Sequence, residues 1–272
     1  MIAIVREVPT SFSNALSATR PATPIDVALA RQQHAAYRAA LAAAKITVRV
    51  LPAEEDLPDC CFVEDTAVVA GDIALIARPG APSRQGEPSA VAAVLDEHLG
   101  VTTMAPPATL DGGDCMVLGG KIFVGRSART NAAGIARLTE VFEPHGYEIV
   151  PIELPRDVLH LKCVCAPLPD GRMTLADATI PAEAFGDVDI VRIPASESYA
   201  ANVLSLGSRV LVAAGFPRTL DVLAKAGFSP QPIATTEFRK ADGALTCLSV
   251  LVDTDSIAFL KDATKKWLES DV

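Results

Sequence analysis

The stretch of sequence that is most informative about the fold covers residues 116–155 and reads MVLGGKIFVGRSARTNAAGIARLTEVFEPHGYEIVPIELP. It begins with two short apolar runs joined by Gly119-Gly120, a pair that suits the tight turn of a β-hairpin. Apolar side chains then recur every three or four positions over residues 131–145, which predicts an amphipathic helix that Gly146 terminates. The β-rich run Tyr147–Pro155 follows the helix. This stretch therefore predicts a unit of strand, strand, helix, strand.

The same order of elements recurs along the chain. Five β-rich runs begin 55, 46, 42 and 39 residues apart, namely Ile46–Pro52, Val101–Pro106, Tyr147–Pro155, Asp189–Pro194 and Phe228–Ile233. A helix is predicted before each run, over Pro24–Ala44, Glu87–Leu99, Asn131–His145, Pro181–Phe185 and Pro217–Ala226. For the first of these helices, Thr23 is the expected N-cap. Hairpins are predicted at Ala67–Arg78, Met116–Gly125, Ala166–Leu175 and Val203–Ala213. This spacing is typical of propeller-like arrays.

The fifth hairpin has no counterpart inside the chain. Its two strands are available at the two ends, as Ile2–Val5 and Leu248–Val252. If these runs pair, the ring of units closes and no sheet edge stays open at the junction. We therefore predict a single α/β domain over residues 1–272, a five-bladed α/β propeller of ββαβ units with pseudo-fivefold symmetry. The alternative is an open mixed α/β sheet with two lobes.

Composition excludes several classes of protein. Half of the 272 residues are apolar and 21% are charged, which excludes a disordered or fibrous chain. The net charge of −9 and a pI near 5.0 argue against general nucleic-acid binding. Despite a mean hydropathy of +0.30, no uncharged run is long enough to span a bilayer, so we expect a cytoplasmic protein without membrane contact. The six cysteines form no C-x-x-C pair, and most are expected to be buried free thiols.

Polar residues collect after the last strand of each predicted unit. They are Asp59, Glu64 and Asp65 in the first unit, Asp111 and Asp114 in the second, His160 in the third, Ser198 and Asn202 in the fourth, and Cys247 in the fifth. Taken alone, Asp-Gly-Gly-Asp is usually a turn, and His160 or Cys247 is more often a packed core residue. Equivalent positions in a ring of repeats face the same axis, however. The sequence therefore predicts that these side chains share one pocket.

The chemistry of this set points to a cationic, planar substrate. A thiolate is a good nucleophile, and a nearby imidazole can take its proton, protonate a leaving amine and later activate water. Clustered carboxylates repel one another unless a cation binds between them. A guanidinium can engage two carboxylates, and its central carbon is an electrophile that a thiolate can attack. These residues favour a guanidine or amidine substrate.

Several segments, in the same order along nearly the whole chain, resemble the dimethylarginine dimethylaminohydrolases. These enzymes belong to the guanidino-group modifying superfamily, which has the five-bladed pentein fold. The matching segments are SFSNALS, PDCCFVEDTAVV, ARPGAPSRQGE, TLDGGD, VGRSARTN, LHLK, SYAANV and KADGALTCLS. The resemblance implies hydrolysis of asymmetric dimethylarginine or monomethylarginine to citrulline and dimethylamine or methylamine. It implies no cofactor and no metal, although some members bind zinc inhibitorily at the thiol.

The resemblance also implies roles for individual residues. Cys247 in LTCLS would be the nucleophile that forms a covalent thiouronium, and His160 in LHLK would be the proton donor and then the base for water. Asp111 in LDGGD would assist catalysis. For substrate binding, the carboxylates of Asp59, Glu64 and Asp65 would lie at the guanidinium. Arg84 and Arg129 would bind the substrate carboxylate. Leu16 would belong to a lid over the site, and the backbone of Ala241 would contact the amino-acid end of the substrate. The role of the two arginines also follows without the resemblance, because a guanidinium can donate two parallel hydrogen bonds to an α-carboxylate.

Two departures from the family pattern limit the transfer of roles. Leu248 follows the predicted nucleophile where some relatives have a second cysteine, so we expect no thiol regulation there. Asp111 stands where others have Glu, and its shorter side chain puts direct substrate contact in question. Two alternatives stay open, a deiminase acting on arginine or agmatine and a non-catalytic propeller that serves as a binding module. A homodimer is also left open.

Overall fold

The computed structural model describes residues 1–254, and fifteen strands and five α-helices lie within them. The strands are β1 (Ile2–Arg6), β2 (Thr47–Leu51), β3 (Ala67–Ala70), β4 (Ile73–Ile76), β5 (Gly100–Thr103), β6 (Cys115–Leu118), β7 (Lys121–Arg126), β8 (Glu148–Glu153), β9 (Cys165–Pro167), β10 (Met173–Ala176), β11 (Ile190–Ile193), β12 (Leu204–Leu206), β13 (Arg209–Ala213), β14 (Ser229–Ile233) and β15 (Val250–Val252). The helices are α1 (Val27–Ala43), α2 (Pro88–Asp96), α3 (Ala132–Phe142), α4 (Pro217–Lys225) and α5 (Thr236–Arg239).

These strands form five separate three-stranded sheets, ordered β15-β1-β2, β3-β4-β5, β6-β7-β8, β9-β10-β11 and β12-β13-β14. In each sheet the middle strand pairs antiparallel with one neighbour and parallel with the other. The first sheet takes its antiparallel pair from opposite ends of the described chain, with Ile2 opposite Val252 and Ile4 opposite Val250. The predicted pairing of the first and last runs is therefore confirmed, and a single open sheet is not found among residues 1–254.

The third unit shows why the local sequence folds as predicted. Gly119 and Gly120 both have positive φ, 58° and 77°, which a type I′ hairpin turn between β6 and β7 requires. The Asn131 side chain accepts a hydrogen bond from the Gly134 amide at 2.8 Å and so caps α3. After one 3₁₀ turn, Gly146 at φ 84° terminates the helical segment.

Two predicted helices differ in detail. The first begins at Val27 and not at Pro24, because Asp26 and not Thr23 is the cap. The Asp26 side chain accepts from Leu29 N at 3.0 Å, and its own amide donates to Glu237 at 2.7 Å. The predicted helix Pro181–Phe185 is a 3₁₀ turn, Ala182–Phe185, which ends at Gly186 with φ 64°.

Among residues 1–254 the hydrophobic core consists of four clusters, and each one is shared between neighbouring sheets. One cluster joins the first and second sheets, one the second and third, one the third, fourth and fifth, and one the fifth and first. The result is a mixed α/β fold in which the sheets pack in chain order and the last packs against the first. No helix within the described residues is long and apolar enough to cross a membrane. The predicted domain of residues 1–272 includes 255–272, which lie outside the described residues.

Candidate active site

Eight of the ten predicted site residues line one cavity of about 160 Å³. They are Leu16, Asp59, Asp65, Arg84, Arg129, His160, Ala241 and Cys247. Each comes from a connection that follows a strand, and they represent four of the five units. The arrangement of repeats thus brings a thiol, an imidazole, carboxylates and arginines together from distant parts of the chain. Asp111 and Glu64 are not among the lining residues.

Cys247 lies in a short 3₁₀ turn, Thr246–Leu248, and is half-buried. Its Sγ accepts a hydrogen bond from the Ala244 amide at 3.4 Å. Burial raises the pKa of the Cys247 thiol well above its ordinary value, and the carboxylates of Glu64 and Asp65 raise it further. The resting residue is therefore a thiol at neutral pH, and a cation entering the cavity would favour the thiolate.

His160 is buried and carries a positive charge at neutral pH. Its Nε2 lies 3.0 Å from Asp111 Oδ2, and its Nδ1 lies 3.9 Å from Asp65 Oδ1. Burial by itself would lower the pKa of His160, but the charge of Asp65, the hydrogen bond to Asp111 and the charge of Asp114 raise it from 6.5 to about 9. An imidazolium in this position can act as a general acid.

Asp111 is fully buried and acts on His160 from behind the cavity. Its Oδ1 accepts from the Gly80 amide at 2.8 Å, which leaves Oδ2 directed to the imidazole. The next residue but one in the same motif, Gly113, packs against the His160 ring so closely that a Cβ there would lie 2.7 Å from Nδ1. The motif TLDGGD therefore holds the imidazole from two sides.

Asp65 stays ionised because two cations surround it. Burial alone would raise the pKa of Asp65, but the charges of His160 and Arg84 lower it to about 2. Arg84 Nη1 donates to its Oδ2 at 2.6 Å, and the Gly113 amide donates to its Oδ1 at 2.9 Å. One ligand atom each from Asp65, Asp111 and His160 lie within 4.8 Å of one another, so this trio has the spacing of a metal site. The two carboxylates of this trio already have a cation at short range, Asp65 in the Arg84 guanidinium and Asp111 in the His160 imidazolium.

The two predicted arginines differ in their freedom. Arg84 is buried and donates to Glu87, Asp65 and the Phe62 carbonyl. Within the described chain these bonds use four of the five guanidinium N–H groups and leave one on Nη1. Arg129 is more open, with 21% of its side chain exposed, and its Nη1 lies 3.8 Å from Asp111. Arg129 is thus the better placed of the two to receive a ligand carboxylate.

Glu64 lines a second cavity and not the first, in which the sequence placed it. Lys162 Nζ lies 2.6 Å from its Oε1, and the Thr246 hydroxyl donates to its Oε2 at 2.7 Å. This second cavity has a volume of about 220 Å³ and is lined by Glu64, Lys162 and Thr246. One outer strand of every sheet also borders it, namely β15, β3, β6, β9 and β12. The charge of Glu64 raises the pKa of the Cys247 thiol, while its two carboxylate oxygens contact Lys162 and Thr246.

A short segment near the N-terminus covers the cavity. Leu16 is 39% exposed, and its amide donates to Asp59 Oδ1 at 3.0 Å. The Ala18 amide donates to Asp242 Oδ2 at 2.5 Å. Sequence reasoning missed Asp242, which has a positive φ of 56° next to Ala241. The motif KADG could have indicated this residue, because Asp tolerates a left-handed backbone and Asp followed by Gly is typical of a turn.

Comparison with known proteins identifies close relatives. The family model described as "N,N dimethylarginine dimethylhydrolase, eukaryotic" matches residues 4–183. The N(G),N(G)-dimethylarginine dimethylaminohydrolase of Pseudomonas aeruginosa is 35% identical over 249 residues, covering 91% of this chain and 97% of the relative. The enzyme of the same name from Streptomyces coelicolor is 42% identical over 229 residues, covering 83% and 87%.

Solved structures show the same similarity in three dimensions. A cysteine-to-serine mutant of the Pseudomonas aeruginosa enzyme complexed with citrulline superposes with a TM-score of 0.87, at 34% identity and with 91% and 97% of the two chains covered. The N-terminal domain of ArgZ, a cyanobacterial arginine dihydrolase, superposes with a TM-score of 0.81, covering 91% and 96%. Its identity is 17%, so that likeness concerns the fold alone.

Proposed function

Since the chain belongs to the dimethylarginine dimethylaminohydrolase family, we propose that it hydrolyses asymmetric dimethylarginine and monomethylarginine to citrulline and dimethylamine or methylamine. The observation that carries this proposal is the joint presence of Cys247, a charged His160 and buried carboxylates in one cavity. The enzyme is a hydrolase acting on an amidine C–N bond, and its substrate is a small molecule.

The cavity has complementary groups for both ends of a methylated arginine. Asp65 and Asp59 offer negative charge to the guanidinium, while Arg129 and the remaining N–H of Arg84 offer donors to the α-carboxylate. The Ala241 backbone and the Leu16 segment would contact the amino-acid end. Burial raises the pKa of Asp59, an effect that Arg84 partly offsets, and a bound cation would further favour its ionised form.

The first half of the reaction uses Cys247 and the His160 proton. The positive substrate offsets the charges of Glu64 and Asp65, so the thiol loses its proton to solvent as the substrate binds. The thiolate then attacks the central guanidinium carbon and forms a C–S bond. His160 donates its proton to the methylated nitrogen, the C–N bond breaks, and dimethylamine leaves. A thiouronium on Cys247 and a neutral imidazole remain.

In the second half, the neutral His160 accepts a proton from water, and the oxygen attacks the same carbon. The C–S bond then breaks, the second proton of the water passes to the leaving sulfur and restores the Cys247 thiol, and the carbon keeps the oxygen as the urea group of citrulline. The first water proton, which His160 accepted, restores the imidazolium. Asp111 does not line the cavity, so we assign it a positioning role through its 3.0 Å contact with His160.

The substrate assignment is tested with purified protein. It is incubated separately with asymmetric dimethylarginine, monomethylarginine, arginine and agmatine, and citrulline or N-carbamoylputrescine is measured, with Cys247→Ser as the control. Citrulline from the methylated substrates is the expected result. Product from arginine or agmatine alone would replace the proposal by a deiminase, and no turnover at all would favour a binding module.

We also propose that the five sheets form a closed propeller with pseudo-fivefold symmetry. The pairing of β1 with β15 and the cluster shared by the fifth and first sheets support this closure. Ile4 is fully buried opposite Val250, so the substitution Ile4→Asp should unfold the protein cooperatively. Activity should be lost together with the folded structure. A cytoplasmic location and a single domain stay predictions of the sequence, to be tested by fractionation and limited proteolysis. The sequence leaves a homodimer open, and light scattering tests it.

A further inference from the structure

The fourth unit supplies no group to the reaction proposed above, although the sequence places Ser198 and Asn202 at its equivalent position. The structure shows a different use for one of them. Asn202 is 2% exposed and does not line the first cavity, so its side chain is directed at protein groups and not at a ligand. Buried amides of this kind need partners for two donors and an acceptor.

The partners of Asn202 belong to the two segments that carry the thiol and the imidazole. Its Oδ1 accepts from the Thr246 amide at 3.0 Å. Its Nδ2 donates to the Thr246 hydroxyl at 2.9 Å and to the Lys162 carbonyl at 2.8 Å. Thr246 directly precedes Cys247, and Lys162 follows His160 by two residues. One side chain therefore connects the nucleophile segment to the acid–base segment.

The neighbours of Asn202 fix the orientation of its amide. The Thr246 hydroxyl donates its hydrogen to Glu64, so it can only accept from Asn202. The Lys162 carbonyl can likewise only accept. Both therefore require the NH₂ end of the amide, and the Thr246 amide requires the oxygen end. A carboxylate at this position would lack both donors.

Local backbone structure alone would hold the two reactive segments poorly. Cys247 lies in the 3₁₀ turn Thr246–Leu248, and His160 directly precedes the 3₁₀ turn Leu161–Cys163. Turns of this length have poor internal hydrogen-bond geometry. A second contact from the fourth unit supports the same loop, because the Tyr199 hydroxyl donates to the Gly243 carbonyl at 2.9 Å. The position of the thiol thus depends on the fourth unit.

We propose that Asn202 is a positioning residue that holds Cys247 in place relative to His160 by fastening Thr246 to the Lys162 carbonyl. For its effect on turnover, this inference rests on the proposed function. The substrate-binding groups Asp59, Arg84 and Arg129 make no hydrogen bond to Asn202 in the described chain, so substrate affinity should be affected much less than the chemical step.

The test compares Asn202→Ala with a matched control, Ser205→Ala. Ser205 belongs to the same unit and donates a 2.8 Å hydrogen bond to the Pro167 carbonyl, but its side chain makes no hydrogen bond to either reactive segment within residues 1–254. Because small displacements of reacting groups are costly, we expect kcat of Asn202→Ala to fall about 100-fold with KM changed less than about threefold. Ser205→Ala should keep its wild-type kcat.

A second pair of variants covers the case in which Asn202→Ala fails to fold. Thr246→Val keeps the side-chain shape and removes the hydroxyl, so it should lower kcat in the same way. Thr246→Ser keeps the hydroxyl and should restore most of the rate. Equal losses in Asn202→Ala and Ser205→Ala, or unchanged kcat in both Asn202→Ala and Thr246→Val, would overturn the proposal.

Alkylation of Cys247 by iodoacetamide, followed by mass spectrometry of the modified peptide, separates this inference from the proposed function. It needs no substrate. A loosened loop should make the thiol more accessible, so alkylation in Asn202→Ala should be several-fold faster than in the wild type and in Ser205→Ala. An unchanged alkylation rate refutes the positioning role, whether or not the protein turns over methylarginines.

Discussion

Replacing Asp111 by Asn should lower the pKa of His160 and move the alkaline limb of the pH–rate profile toward neutral pH. Asn keeps the size of the side chain and removes the charge that lies 3.0 Å from His160 Nε2. In the proposed mechanism the imidazolium protonates the leaving amine, so a variant with a neutral His160 at pH 8 loses the acid that its reaction needs.

The size of the effect follows from the surroundings of His160. Burial opposes the charge, yet Asp65, Asp111 and Asp114 together raise the pKa from 6.5 to about 9. That difference corresponds to roughly 3 kcal/mol of net preference for the imidazolium. Loss of one carboxylate at hydrogen-bond distance typically changes a pKa by about 1 to 3 units. We therefore expect the His160 pKa of Asp111→Asn to fall to between about 6 and 8.

The assay is an NMR titration of the histidine side chains, of which the chain has four. The His160 signal is assigned by its absence in His160→Gln. Asp111→Glu serves as the matched control, because it keeps the charge and should keep the pKa well above 6.5. The value of kcat is measured from pH 6 to 10 in parallel. A His160 pKa that does not fall in Asp111→Asn would refute the electrostatic role of Asp111.

The same shift has a consequence for stability. A pKa that is higher in the folded state adds stability that is fully present below the unfolded value of 6.5 and is lost as pH rises through about 9. The free energy of unfolding of the wild type should therefore decline between pH 7 and 10 by more than that of Asp111→Asn. Denaturant titrations at several pH values measure this difference.

Three further variants test other parts of the site. Cys247→Ser should lower kcat by about four orders of magnitude or more while the melting temperature stays close to that of the wild type, and retained activity would contradict the covalent mechanism. Arg129→Ala should raise KM about 10- to 100-fold with a smaller fall in kcat, as expected for loss of hydrogen bonds to a charged carboxylate, and an unchanged KM would remove Arg129 from this role. Gly113→Ala should lower kcat about 100-fold, because its Cβ would lie 2.7 Å from both His160 Nδ1 and Asp65 Oδ1. Gly100→Ala, whose Cβ would meet Ile73 at an ordinary 3.6 Å, is the control, and equal activity of the two variants would contradict the packing argument.

The repeat, its turns and its helix ends were predictable from the sequence because they depend on short-range chemistry. Positive φ at Gly119 and Gly120, a capping side chain at Asn131 and a left-handed stop at Gly146 are set by residues only a few positions apart. The first helix shows where this reasoning fails. Thr23 and Asp26 are both good caps, and the choice of Asp26 depends on Glu237, which is remote in sequence and accepts its amide hydrogen.

The sequence by itself determined that a thiol, an imidazole and carboxylates occupy equivalent positions of a repeat, and so where the site lies. The tertiary structure decided what each group does there. It directs Glu64 to Lys162 in the second cavity, commits most of Arg84 to Glu87 and Asp65, and turns Asn202 into a link between two reactive segments. The physical reason is that hydrogen bonding and charge state depend on distance and burial, which side chains far apart in sequence acquire only when the chain is folded.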